Sequence, residues 1–245
     1  MSIEMRTLGK TELSVSQLGV GLAEIGSLLK SGQEQKASRV LHTALDAGIN
    51  FLDTSACYGD SEILIGRSIA NRRDEFVLAT KAGHSTDDYS GPAWTAKTVR
   101  DSIERSLERL QTDYLDLVQL HSCGLEVLKQ GKVIQALLDA QQAGKTRYVG
   151  YSGDNEAALW AVESGHFDTL QTSFNLVDQR ARTLLFPKAQ ASRMGIIAKR
   201  PIANGVWGDE SSGPLAYRQR AQEMSALGPL PNAPEDPILL ALGFT

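Results

Sequence analysis

Cysteine and long apolar runs are what this sequence most lacks. Only Cys57 and Cys123 occur among its 245 residues, with no CxxC pair and no disulfide framework, which favours a reducing compartment. No apolar run approaches the ~20 residues of a membrane span, and the first residues lack the apolar core of a secretory signal. We therefore expect a cytoplasmic protein that does not cross a membrane.

An excess of positive charge is also missing. The formal net charge is −4, and lysine and arginine are dispersed along the chain instead of forming a stripe. A nucleic-acid partner or a polybasic membrane contact would need such a stripe, so neither is expected. The expected partner is a small molecule, and the oligomeric state is left open.

What the sequence does contain is a regular alternation of strand and helix patterns. Strand starts recur every roughly 23–38 residues, about the length of one βα unit, which indicates a single domain over residues 1–245. Before them, residues 6–16 predict a hairpin that plugs one end of the fold. Strands are predicted over 18–22, at the start of 51–59, and over 76–80, 114–120, 146–151, 169–174 and 196–199, and helices over 33–47, 62–70, 95–110, 126–143, 155–164 and 181–193.

Two α/β architectures fit this alternation. A doubly wound open sheet would normally carry G-x-G-x-x-G after its first strand, and the run from Gly19 to Glu24 lacks the third glycine. Uninterrupted alternation therefore favours a (β/α) barrel. Residues 204–235 predict a long loop punctuated by glycine and proline, and an apparent helix follows at 238–242.

Titratable side chains follow three successive predicted strands. Asp53 and Tyr58 lie at or after the end of the second strand, Lys81 ends the third, and His121 ends the fourth. If these strands are parallel and adjacent, the four side chains meet on one rim, which is where barrels carry their chemistry.

These residue types suit the protonation of a carbonyl oxygen. Lys81, held by Asp53, is expected to lower the pKa of Tyr58 and to stabilise its phenolate, so that the phenol can donate a proton. His121 can hydrogen-bond and orient the carbonyl. Hydride must then arrive at carbon, which requires a cofactor because no side chain supplies it.

Each residue taken alone also has a purely structural interpretation. Asp53 could cap a turn, Lys81 could be a solvated rim charge, His121 a structural histidine and Tyr58 a packing residue. Their convergence favours a site. Neither cysteine has an activating base in the sequence, which argues against redox chemistry.

The same residues resemble the aldo-keto reductase family. The run from Asp53 to Glu62 is similar to the family's second-strand signature, and the contexts of Lys81 and His121 match the rest of its catalytic tetrad. The resemblance extends to the hairpin at 6–11 and the fifth strand at 144–152. It implies a (β/α)8 TIM barrel and an NADPH-dependent carbonyl reductase.

The resemblance also implies a cofactor site. By position, Ser152, Asp154 and Gln171 would hold the nicotinamide carboxamide. Lys199 stands where many members have a stacking tyrosine, and with Arg200 it could face the pyrophosphate.

The family's eighth βα unit would follow Thr245, so we expect a barrel that lacks this unit in the given chain. That unit carries the glycine-rich stretch and the basic residues that grip the adenosine phosphates, so weak NADPH binding is expected. Without it the strands at 18–22 and 196–199 would have open backbone edges, so self-association is expected. A cofactor-sensing or partner-binding barrel with little turnover, as in the potassium-channel β subunits, is the alternative, and isomerisation is a third. Substrate choice would be set by the loops at 84–94 and 204–235, with Tyr89, Trp94 and Trp207 as pocket walls.

Overall fold

A sheet of seven parallel strands forms the centre of the fold in the computed structural model, which describes residues 3–208, 213–229 and 231–245. Each strand pairs in parallel with the next one along the chain. This sequential order is that of an α/β barrel and not of a doubly wound sheet, whose order reverses at a switch point, so the predicted fold class is confirmed. The strands are β3 (Gly19–Gly21), β4 (Phe51–Asp53), β5 (Val77–Ala82), β6 (Leu115–His121), β7 (Thr146–Ser152), β8 (Thr169–Ser173) and β9 (Gly195–Lys199).

The predicted hairpin precedes this sheet as β1 (Met5–Thr7) and β2 (Ser14–Ser16), which pair antiparallel. Leu13 and Val15 are buried against Phe51 and Val77, which begin β4 and β5. The hairpin therefore covers the amino-terminal ends of the strands. The opposite rim, formed by their carboxyl ends, is left for a site.

Helices follow the strands and bury their apolar faces against the sheet. In the helix over 96–110, Val99, Ile103 and Leu110 are buried at helical spacing, and the Thr95 hydroxyl caps the first turn by accepting from the Thr98 amide. No helix among the described ranges is long and apolar enough to span a bilayer. The helices are α1 (Glu34–Asp46), α2 (Ser61–Ile69), α3 (Ala96–Leu110), α4 (Leu125–Lys129), α5 (Lys132–Gln142), α6 (Asn155–Ser164), α7 (Arg180–Leu184), α8 (Phe186–Ala191), α9 (Leu215–Ala226) and α10 (Pro237–Phe244).

Three sequence predictions of secondary structure are corrected. The helix predicted over 126–143 is two helices, because Gly131 lies between them with φ +74°. The helix predicted over 181–193 divides into α7 and α8, with a proline in the first turn of α8. The loop predicted over 204–235 contains α9, because its glycines and prolines flank a helix instead of filling the segment; residues 209–212 and 230 lie outside the described part.

Candidate active site

A buried ion pair lies at the base of the carboxyl-terminal rim. Asp53 and Lys81 are on neighbouring parallel strands, and the Lys81 Nζ is 2.7 Å from Asp53 Oδ2 and 2.8 Å from the Thr54 carbonyl oxygen. The side chain of Lys81 is 1% exposed and that of Asp53 15%. The amide of Gln119 on β6 approaches the other carboxylate oxygen at 3.4 Å. The lysine is thus held in one position by strand geometry and by its partners.

Tyr58 lies above this pair on the loop that follows β4. Its ring centroid is 5.0 Å from the Lys81 Nζ, and the ring meets that of His121 edge-on at 5.7 Å. The backbone of Gly26 packs against this loop, and its carbonyl oxygen accepts a hydrogen bond from the Asp60 amide at 2.9 Å. The approach is so close that a Cβ at Gly26 would lie 1.9 Å from the Tyr58 carbonyl oxygen. The structure therefore brings together all four side chains of the predicted rim. The sequence analysis missed Gly26, because its role depends on contact with a backbone segment that is distant in the sequence.

The electrostatics of the rim differ from expectation at one residue. Burial raises the pKa of Tyr58 above its ordinary value of 10, and the nearby charge of Lys81, which acts in the opposite direction, does not cancel that rise. The prediction of a lowered pKa is therefore wrong in sign. The phenol of Tyr58 is therefore protonated at neutral pH.

His121 is a neutral imidazole in this setting. Burial, and after it the positive charge of Lys81, lowers the pKa of His121 to about 3. Its Nδ1 lies 3.2 Å from the Ser55 hydroxyl and 3.4 Å from the Cys57 sulfur, so both neighbours are on one side of the ring. In the part of the chain that the structure describes, the side-chain hydrogen bonds found for His121 all involve Nδ1, which leaves Nε2 for another partner.

An aromatic wall stands beside His121. The ring of His84, just beyond β5, lies 4.8 Å from that of His121 and 4.4 Å from that of Trp94, both edge-on. Trp94 is thus next to the rim, as predicted. Tyr89 instead points its hydroxyl to Asp101 on α3, at 2.6 Å.

The third predicted wall, Trp207, is in a separate position. It packs with Val177 and Ala203 against Tyr217 of α9, in a small cluster of its own. None of the four rim side chains is a member of this cluster.

The loop over 84–94 is anchored to helix α3 by an arginine. The Arg109 guanidinium contacts the carboxylate of Asp88 in the loop, the Ala56 carbonyl at 3.2 Å and Glu62 at 3.4 Å. The hydroxyl of Thr86 and, next, Arg109 lower the pKa of Asp88 to about 2, so the pairing persists through the neutral range. Arg109 therefore ties the loop that carries the aromatic wall to α3 and to the segment that follows β4.

Polar side chains continue the rim across β7 and β8. Ser152 and Gln171 are register partners at the ends of these strands, and the Ser152 hydroxyl donates to Gln171 Oε1 at 2.8 Å. Both are buried. A hydroxyl and an amide side by side can hold another amide, so the arrangement is compatible with the predicted carboxamide contact.

Asp154 organises two cations at the far end of the rim. Its Oδ1 accepts from the Ser173 amide at 2.7 Å, while its Oδ2 lies 3.4 Å from Lys199 Nζ and 3.6 Å from Arg200. Burial raises the pKa of Asp154, but Lys199 and the Ser173 amide outweigh it and the net shift is downward. Burial also lowers the pKa of Lys199, against the pull of Asp154. Asp154 thus holds Lys199 and Arg200 in place through these ion pairs.

Sequential parallel strands, a hairpin over their amino-terminal ends and a polar rim at the other define a barrel-type α/β protein with its site at the strand ends. A sequence model described as the Aldo/keto reductase family matches residues 17–228. The chain belongs to the aldo/keto reductase family.

Individual relatives agree with this assignment. The uncharacterized oxidoreductase YqkF of Bacillus subtilis is 33% identical, over 82% of this chain and 65% of its own length. L-galactose dehydrogenase of Arabidopsis thaliana is 32% identical, over 91% of this chain and 72% of its own. The chain thus spans about two thirds of the length of these curated relatives. Among solved structures, the holo form of aldo-keto reductase AKR11C1 from Bacillus halodurans is similar, with a TM-score of 0.82, 28% identity and coverage of 99% of this chain and 82% of its own.

Proposed function

We propose that this protein is an NADPH-dependent oxidoreductase that reduces an aldehyde or ketone to an alcohol, with Tyr58 as the proton donor. The observation that carries the proposal is the buried Asp53–Lys81 pair directly beneath the Tyr58 ring. An ammonium fixed in that position stabilises the phenolate that proton donation leaves behind.

The protonation states support these roles. Tyr58 is protonated at neutral pH because burial raises its pKa, so it can give a proton to a carbonyl oxygen as charge develops there. His121 is neutral because burial lowers its pKa. If the Ser55 hydroxyl donates to Nδ1, then Nε2 carries the ring proton and can donate to the same carbonyl oxygen.

The residues beyond the tetrad fit a nicotinamide cofactor, which when bound supplies hydride. Ser152 and Gln171 offer hydroxyl and amide groups for the carboxamide, and Lys199 and Arg200 offer positive charge for phosphate oxygens. Asp154 would act by orienting the two cations, since its own oxygens already accept from the chain.

The test follows NADPH absorbance with a panel of aldehydes and ketones, in the parent chain and in Tyr58→Phe. Without the proton donor, kcat should fall ~10²–10⁴-fold. Tyr114→Phe is the control, because Tyr114 precedes β6 at the opposite end of the strand and packs under Arg73. A Tyr58→Phe protein that turns over like the parent would refute the role, and NADPH binding without any turnover would favour the sensing alternative.

A further inference from the structure

One cluster of side chains on the rim has no part in the proposed reaction as a set. Cys57, His84 and His121 follow or end β4, β5 and β6, and each offers one ligand atom, all within 4.8 Å of one another. One pair, Cys57 Sγ and His121 Nδ1, is 3.4 Å apart. All three residues are partly exposed, so an ion from solvent could reach them.

We propose that Cys57, His84 and His121 form a site for one transition-metal ion of the borderline-soft class, with Zn²⁺ as the reference ion. A thiolate and two imidazoles are the ligand types that zinc prefers, and three protein ligands leave a fourth position for water. Hard cations such as Mg²⁺ and Ca²⁺ prefer oxygen ligands and would not bind here.

The geometry needs little adjustment. Zinc bonds of ~2.3 Å to sulfur and ~2.0 Å to nitrogen place tetrahedral ligand atoms about 3.3–3.6 Å apart. The separation of 3.4 Å between Cys57 and His121 already falls in that range. Any wider pair, at no more than 4.8 Å, has to close by at most about 1.5 Å. Closing a wider pair would involve a small shift of the His84 side chain, which lies beyond the strand end and packs edge-on against Trp94 and His121.

A hydrogen-bond donor lies beside the proposed thiolate ligand. A thiol binds a metal ion as the thiolate, so binding would release the proton of Cys57. The Ser55 hydroxyl, 3.2 Å from Cys57 Sγ, can donate to the thiolate that results.

Positive charge near the cluster is largely neutralised. Lys81, which faces His121, is paired with Asp53, and Lys199 and Arg200 both lie against Asp154. These pairs reduce the repulsion that a divalent ion would otherwise meet, without removing it.

The experiment measures binding and uses no turnover, so its outcome is independent of the proposed reductase activity. The full chain, freed of metal by a chelator, is titrated with Zn²⁺ against a chromogenic chelator, and separately with Co²⁺ while its absorption is recorded. We expect one ion per chain and, with Co²⁺, a thiolate-to-metal charge-transfer band. Cys57→Ser and His84→Ala should each weaken Zn²⁺ binding by at least ~10-fold, since even removal of an outer-shell partner typically costs that much.

Two control variants separate the site from incidental thiol and imidazole binding. Cys123→Ala removes the other thiol, which is buried, and His166→Ala removes an exposed imidazole; both should bind Zn²⁺ like the parent. Circular dichroism establishes that each variant is folded. Absence of saturable binding below the millimolar range, or binding that Cys57→Ser and His84→Ala leave unchanged, would overturn the proposal, as would a Co²⁺ spectrum without the thiolate band.

Discussion

Removing the ammonium of Lys81 tests the centre of the proposed mechanism. In Lys81→Met the carboxylate of Asp53 stays buried, and its nearest remaining partner is the Gln119 amide at 3.4 Å. At 2.7 Å the gross attraction lost is about 6 kcal/mol for an effective dielectric constant of about 20. The variant no longer incurs the cost of burying the ammonium, which offsets part of this lost attraction. The expected loss is therefore ~3–5 kcal/mol in the free energy of unfolding.

The assay is equilibrium denaturation by urea, followed by far-ultraviolet circular dichroism. Lys81→Met should shift the midpoint to lower urea, and the double variant Asp53→Asn/Lys81→Met should recover part of the loss, because it removes the unpaired charge as well. Activity should be lost in both, since the phenolate of Tyr58 then lacks its cation. An unchanged midpoint in Lys81→Met, or a double variant no more stable than the single one, would refute the pair as a buried, coupled unit.

Two further predictions concern residues that support the site. Burial raises the pKa of Glu62 above its ordinary 4.5, so its contribution to stability is fully present below pH 4.5 and is lost as pH rises through the folded-state pKa. As pH rises from 4.5, the denaturation midpoint of Glu62→Gln should therefore increase relative to that of the parent. A difference between the two midpoints that does not change with pH would contradict this prediction. Gly26→Ala should displace the loop of Tyr58 and lower kcat, because its Cβ would lie 1.9 Å from the Tyr58 carbonyl oxygen. Gly124→Ala, with no atom within 4 Å of its Cβ, is the matched control, and equal kcat in the two variants would disprove the contact.

The convergence of the rim could be predicted from the sequence because it depends on topology. Once Asp53, Lys81 and His121 are placed at the ends of successive parallel strands, the pairing of those strands brings the side chains together. The sign of the Tyr58 pKa shift could not be predicted, since it depends on whether the increase caused by burial exceeds the decrease caused by the charge of Lys81. The same limit applies to the backbone approach of Gly26, which no local pattern encodes.

The connecting segments also combine features that the sequence predicts with features that it does not. The pattern around Gly131 is compatible with a continuous helix, and the positive φ of this glycine, which separates α4 from α5, is seen only in the structure. The aromatic residues predicted as pocket walls do not all face the rim, because the sequence does not fix the direction of a loop side chain. Trp94 lies next to the rim, whereas Tyr89 points to α3. Partners distant in sequence, such as Asp101 for Tyr89, decide between these outcomes.

The two nitrogens of His121 allow one side chain to serve both proposals. Its Nδ1 lies on the side of Ser55 and Cys57, whereas the proposed contact with a substrate carbonyl uses Nε2. A metal ion on Nδ1 would require the ring proton to be on Nε2, which is the same tautomer that a hydrogen bond from the Ser55 hydroxyl selects. With the metal on Nδ1, as the 3.4 Å separation from Cys57 Sγ favours, metal and substrate would not compete for the same atom of the imidazole. Tyr58 and Lys81 are not among the proposed metal ligands, so His121 is the one side chain that the proposed proton-donating site and the proposed metal site would share.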